Sequence, residues 1–186
     1  MIRPLVLVAA LLAAPATEAA TVTFTNLPAY DAALGTPSTI SETFDGGALN
    51  GSVIQQITGA FSFNNNRLQG VAGGGTNPAK QFTTLVFSTR MTAFAASFAN
   101  LSAGEIAHVL LDGIQAATIT GGTTFFGIQS NIAFSSITFL DTTFPSVNTQ
   151  FAIDNMRVSP VPVAAAAPML LGGIGMLAAL RRRRRA

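Results

Sequence analysis

A serine hydrolase needs a proton carrier, and this chain offers one histidine, His108, in the run Ala107-His108-Val109-Leu110-Leu111. No Gly-x-Ser-x-Gly elbow accompanies it, and its neighbours follow a strand pattern, so His108 reads as a strand residue and not as a catalyst. Glycoside hydrolysis needs two carboxylates about 5 to 10 Å apart across a sugar-sized cleft. Seven acids lie in the segment 20–159, which permits many pairs and singles out none, and there is no Trp to stack a sugar. The expectation is therefore a protein that is not an enzyme.

Metal binding is the chemistry these residues suit best. A hard cation such as Ca²⁺ takes six to eight oxygens from carboxylates, amides and carbonyls, and a β-sandwich can supply them from its first and last strands together. Glu42, Asp45 and Asp154, with Asn155, form that candidate group. Asp154 interrupts an otherwise apolar strand, where an unpartnered carboxylate is costly, so something must satisfy it. The alternative is a loop cap, or an ion pair with Arg90 or Arg157 at the rim. Gly73-Gly74-Gly75-Thr76 lacks the Lys-Ser/Thr and the helix of a phosphate loop.

The 186 residues include no Cys, no Trp and one Tyr, which removes zinc fingers, disulfide scaffolds and thiol enzymes. The formal charge of +2 comes from the termini. Arg3 lies at one end and Arg181, Arg182, Arg183, Arg184 and Arg185 lie at the other. In the segment 20–159 four basic residues face seven acids, a balance of −3, which offers nothing to a nucleic acid.

Both ends read as address labels. Arg3, the apolar run Leu5 to Ala14, and small residues up to Ala20 have the shape of a secretory signal peptide. Thr17 and Ala19 suit the −3 and −1 positions, which places cleavage after Ala19, with Ala16 as the fallback. At the other end Val163 to Leu180 is an uninterrupted apolar stretch of 18 residues, about 27 Å as a helix, enough to cross a membrane. The arginine block behind it holds that end in the cytoplasm and leaves the body outside. Ala, Gly and Pro168 make the span weak, which suits a temporary anchor as well as a permanent one.

The order Ser159-Pro160-Val161-Pro162-Val163-Ala164, then the Gly-rich span, then Arg181 to Arg185, resembles the PEP-CTERM family of bacterial sorting signals, and most closely its VPLPA-CTERM variant. The resemblance implies recognition by an exosortase, a membrane-embedded cysteine transpeptidase, after export through the secretion machinery. It implies cleavage near Pro160, Val161, Pro162, Val163 and Ala164, and a final place at the cell surface or in the extracellular polysaccharide. The expected organisation is a signal peptide over 1–19, an ectodomain over 20–159 and a sorting signal over 160–186.

The middle segment has the size of one domain. It holds all 14 Phe with many Thr, Val and Ile, and Gly or Asn punctuates it every eight to twelve residues. That pattern predicts an all-β fold, a single antiparallel sandwich flanked by the signal helix and the transmembrane helix. Strands are expected over 21–26, 39–44, 61–64, 82–88, 92–99, 107–111, 116–120, 123–128, 133–140 and 151–158, with a short helix over 28–33. Gly121-Gly122 between β-prone arms predicts a two-residue hairpin, and Asn64-Asn65-Asn66 reads as a loop tip. Phe125 to Ile128, Phe134 to Phe139, Phe151 to Val158 and Glu42 to Asp45 resemble the sandwich ectodomains that precede such sorting signals, which implies a jelly-roll-like, lectin-like form. Two functions follow: a non-catalytic surface or matrix protein or, as the alternative, an extracellular carbohydrate-binding module with a structural calcium.

Overall fold

The computed structural model describes residues 20–49, 51, 53–72, 82–101, 106–141 and 149–161. The expected signal peptide with Ala19, the span 163–180 and the arginine block lie outside these residues. No helix among the described residues is long and apolar enough to cross a membrane.

The fold is all-β and antiparallel throughout, built on two long strands, β5 (Phe82–Ala99) and β8 (Phe125–Asp141). Each was expected as two strands, and each is one strand bent in the middle. The early half of β5 pairs with the late half of β8, Leu85 opposite Ile137, and its late half pairs with the early half of β8, Phe94 opposite Ile128. Around the first crossing, β2 (Ile54–Gly59) pairs with β5, and β6 (Ile106–Leu111) with β7 (Ile114–Thr120) extends β8. Around the second, β1 (Thr21–Phe24) pairs with β8, while β9 (Thr149–Pro160), β4 (Arg67–Ala72) and β3 (Phe61–Asn64) extend β5. One sheet thus folds over into two layers that share β5 and β8.

The layers meet through aromatic rings. Phe139 from the first layer sits 5.9 Å from Phe94, 5.5 Å from Phe98 and 5.4 Å from Phe151 of the second, centroid to centroid. These spacings are those of favourable offset and edge contacts. Alternation puts Leu85, Phe87, Ile137 and Phe139 inward from one layer and Phe94, Phe98, Phe126, Ile128, Phe151 and Ile153 from the other. In β9, Asn155 at φ +50 inserts a bulge after Ile153, so Met156 is the next inward residue and Asp154 stays half-exposed.

A second, smaller core lies on the outer face of the second layer. Here α1 (Leu27–Leu34) lays Tyr30 over Ala93 and Ala95, whose small side chains make room for the ring. Asn26 caps the helix by accepting from the Ala29 amide at 2.9 Å, and Gly35 closes it at φ +73. The expected helix is thus present, one residue longer at each end.

Two expectations are corrected. The arms around Gly121-Gly122 do not pair with each other: β7 pairs with β6, and the chain then crosses to the second layer as β8. The double burial of β8 explains this, since Phe126 and Ile128 face the main core while Phe125 packs against the helix-side cluster, a pattern that demands neighbours on both faces. The tight hairpins lie elsewhere, at Asp112-Gly113 (φ +47 and +83) between β6 and β7 and at Asn65-Asn66 (φ +51 and +57) between β3 and β4. Positive φ at both central residues is what a type I′ turn requires. Nor is 39–44 a strand: Glu42 alone bridges to Met156, and Phe44 turns away at φ +57.

Candidate functional site

Both long strands bend at one end of the sandwich, and the bend opens a cleft of about 260 Å³. Ser88 to Arg90 make the exposed bend of β5. In β8 the Ser130 hydroxyl donates to the Ile132 carbonyl at 2.8 Å and accepts from the Ile132 amide at 3.1 Å, which pinches the strand locally. The β6–β7 turn closes a third side, and Thr21 of β1 with Gln115 and Ala116 of β7 closes the fourth.

Asp112 is the best-anchored polar group in the cleft. Its Oδ1 accepts from the amides of Ser135 (2.9 Å) and Ser136 (2.8 Å) and from their hydroxyls (3.0 and 3.1 Å). Its own amide donates to the Ser136 carbonyl at 3.1 Å. Partial burial alone would raise the carboxyl's pKa, but the four donors outweigh it and hold the group below the usual aspartate range. Arg90 Nη2 lies 3.8 Å from Asp112 Oδ2 and donates to the Ala133 carbonyl. The arginine side chain remains 61% exposed. Aliphatic side chains flank this pair: Ile114 is 71% exposed and Ile132 43% exposed.

The expected metal group is arranged differently. Glu42 is buried, with Oε1 accepting from the Phe44 amide at 2.9 Å and Oε2 from the Gly51 amide at 2.7 Å. Asp45 accepts from the Thr43 hydroxyl at 2.7 Å. Asp154 accepts from the Asn155 amide at 2.7 Å and lies 3.6 Å from Arg67 Nε, so its ion pair is with Arg67 and not with Arg90 or Arg157. The first segment and last strand do meet, at the Glu42–Met156 bridge. Among the described residues, no three His, Cys, Asp or Glu side chains gather as a group able to hold a metal ion.

His108 faces along the β6–β7 ladder, its Nδ1 3.3 Å from Thr118 Oγ1. Of the sorting motif, Pro160 ends β9 opposite Met91, and the Val161 amide donates to the Arg90 carbonyl at 3.0 Å. Pro162, Val163 and Ala164 lie outside the described residues. Apart from Arg90, raised only as a partner for Asp154, the cleft residues were not among the sequence candidates. Asp112-Gly113 between alternating apolar runs is a hairpin signal that locates one wall, whereas the approach of Arg90 to it depends on the bend and has no local signature.

No family model matches the chain, and no curated protein matches it. Two solved structures share its general shape. One is a family 29 carbohydrate-binding module from Piromyces equi, 12% identical, with a TM-score of 0.44 over 77% of this chain and 92% of that one. The other is a mutant of a family 29 carbohydrate-binding module, also 12% identical, with a TM-score of 0.45 over 77% of this chain and 88% of the other. At that identity the likeness is one of shape alone.

Proposed function

We propose that this chain is an exported, non-catalytic surface protein whose sandwich binds carbohydrate in the cleft at the β5–β8 bend. The observation that supports the reading most is the Arg90–Asp112 pair, held by backbone and serine hydrogen bonds beside the exposed faces of Ile114 and Ile132. Small-ligand sites combine apolar walls with a few fixed polar groups, and prior ordering of those groups lowers the entropic cost of binding. A pyranose ring has the matching surface, C–H faces for the isoleucines and oxygens for the polar groups. The cleft is slightly smaller than the roughly 300 to 1,000 Å³ of drug-sized pockets, which suits one sugar unit and not a long chain.

The absence of catalysis is supported by the acid-base inventory. Glycoside hydrolysis uses a protonated and an ionised carboxyl together, and Asp112 is the one carboxylate among the described residues lining the cleft, engaged by four donors. The terminal segments support export and handling by an exosortase-type transpeptidase, with extracellular polysaccharide as the body's surroundings.

A second reading, a surface protein with no ligand, is favoured by the placement of the aromatics. Among the described residues Phe134 is the one ring lining the cleft, and it is buried, so none of them presents an outward stacking platform there. A glycan array probed with the purified full-length chain in detergent micelles separates the two. Binding that is lost in Ile114→Asp and Asp112→Ala supports the carbohydrate reading, and an empty array overturns it. The sorting proposal is tested by mass spectrometry of the native protein, where retention of Arg181 to Arg185 would overturn processing.

A further inference from the structure

We infer that the sugar unit taken by this cleft carries a carboxylate, as a uronic acid does, and that Arg90 recognises it; this rests on the carbohydrate reading above. Asp112 Oδ1 is filled by the Ser135 and Ser136 donors, while Oδ2 lies 3.8 Å from the guanidinium, beyond hydrogen-bond reach, and stays open as an acceptor. The Ser130 hydroxyl is engaged with Ile132, and the Thr21 hydroxyl donates to the Ala116 carbonyl at 3.3 Å. Among the described residues lining the cleft, Arg90, Gln115 and Asp112 through Oδ2 therefore keep open hydrogen-bonding capacity, and the open N–H donors outnumber the open acceptors.

Arg90 is held by one corner only. Its Nη2 donates to Ala133 and faces Asp112, and among the described residues no acceptor meets its Nε–Nη1 edge. That edge offers parallel N–H groups on a largely exposed side chain, the fork that matches the two oxygens of a carboxylate. A neutral diol must place its own hydroxyl protons on acceptors, of which the cleft offers Asp112 Oδ2 and Gln115 Oε1, whereas a carboxylate engages the arginine fork directly. A site whose open donors outnumber its open acceptors favours an acceptor-rich, anionic ligand. The aliphatic flanks then meet the ring faces of the same sugar unit.

The test is calorimetric titration of the full-length chain in micelles with oligogalacturonate and with the same oligomer after carboxyl reduction, alongside a sulfated neutral oligomer. The acidic oligomer should bind at least about tenfold more tightly than its reduced form, the loss expected for a charge-assisted hydrogen-bond pair. Its affinity should fall as salt rises from 0.05 to about 0.5 M. Arg90→Lys, which keeps charge but not the fork, should weaken binding by about tenfold, and Arg90→Gln more. The wild-type comparison and the salt series need no variant to fold. Equal binding of the acidic and reduced oligomers overturns the carboxylate inference and leaves the carbohydrate reading standing. Equal binding of the sulfated oligomer overturns carboxylate selectivity. Failure of these oligomers and of every glycan on the array overturns the carbohydrate reading itself.

Discussion

The ring of Phe151 fills the space above Gly70, its antiparallel partner on the neighbouring strand, where a β-carbon would otherwise stand. Phe151 in turn stacks at 5.4 Å from Phe139 and 6.3 Å from Phe98, so the glycine admits a ring that ties both layers together.

Gly70→Ala should therefore cost about 3 kcal/mol, the upper range for overpacking a tight core. Urea unfolding followed by circular dichroism measures it. The double variant Gly70→Ala/Phe151→Leu should lose less than the two single losses combined, because the smaller side chain removes the clash.

Tyr30 should govern the alkaline limit of stability. Its hydroxyl is buried with no hydrogen-bond partner among the described residues, and burial, reinforced by Asp31, pushes its pKa well above the ordinary value. A raised folded-state pKa leaves stability intact below about pH 10 and erodes it above, as the unfolded chain ionises first. Because Tyr30 is the only tyrosine, tyrosinate absorbance should appear together with unfolding and not before it. Tyr30→Phe should add about 1 kcal/mol by removing an unsatisfied hydroxyl, and should abolish that alkaline loss.

Asp112 should govern an acid limit. Its folded pKa is lowered, so its stabilisation is present above about pH 4 and is lost as pH falls through the folded value. Asp112→Asn keeps a residue that tolerates φ +47 but weakens the four hydrogen bonds, a cost of about 1 to 2 kcal/mol at neutral pH. The variant's melting temperature should change less than the wild type's between pH 5 and about pH 3.

Glu42 should prove structural. Each of its carboxylate oxygens accepts from a backbone amide, Phe44 on one side and Gly51 on the other, and glutamine must point an N–H₂ group at one of them. Glu42→Gln should cost about 2 kcal/mol in urea unfolding. Chelation with EDTA should leave the melting temperature of the wild type unchanged, and a drop of several degrees would restore calcium to the Glu42, Asp45 and Asp154 region.

Much of this architecture was legible where one residue's environment is decided by its neighbours in sequence. Phe61 to Asn64, the Pro28-initiated helix over 28–33 ahead of Gly35, and the strand over 151–158, which lies within β9, all carry local signals that the fold obeys. Strands β2 and β4 were missed because Ile54-Gln55-Gln56-Ile57 and Arg67-Leu68-Gln69-Gly70 carry few apolar residues. β2 is paired on one side only, and Gly70 looks like a breaker until the Phe151 ring is seen above it. Asp154 could be recognised as needing a partner, but the Asn155 bulge that keeps it half-exposed and the approach of Arg67 are tertiary. The cleft was illegible for the same reason, since Arg90 and Asp112 are 22 positions apart and meet only where two long strands turn.

Because β5 and β8 run through both layers, the described residues contain no seam along which the sandwich could come apart one half at a time. Strain applied at either end of these strands is delivered to the opposite layer through continuous backbone. Amide protons in the two halves should then exchange with solvent at one common rate under conditions of rare, complete opening.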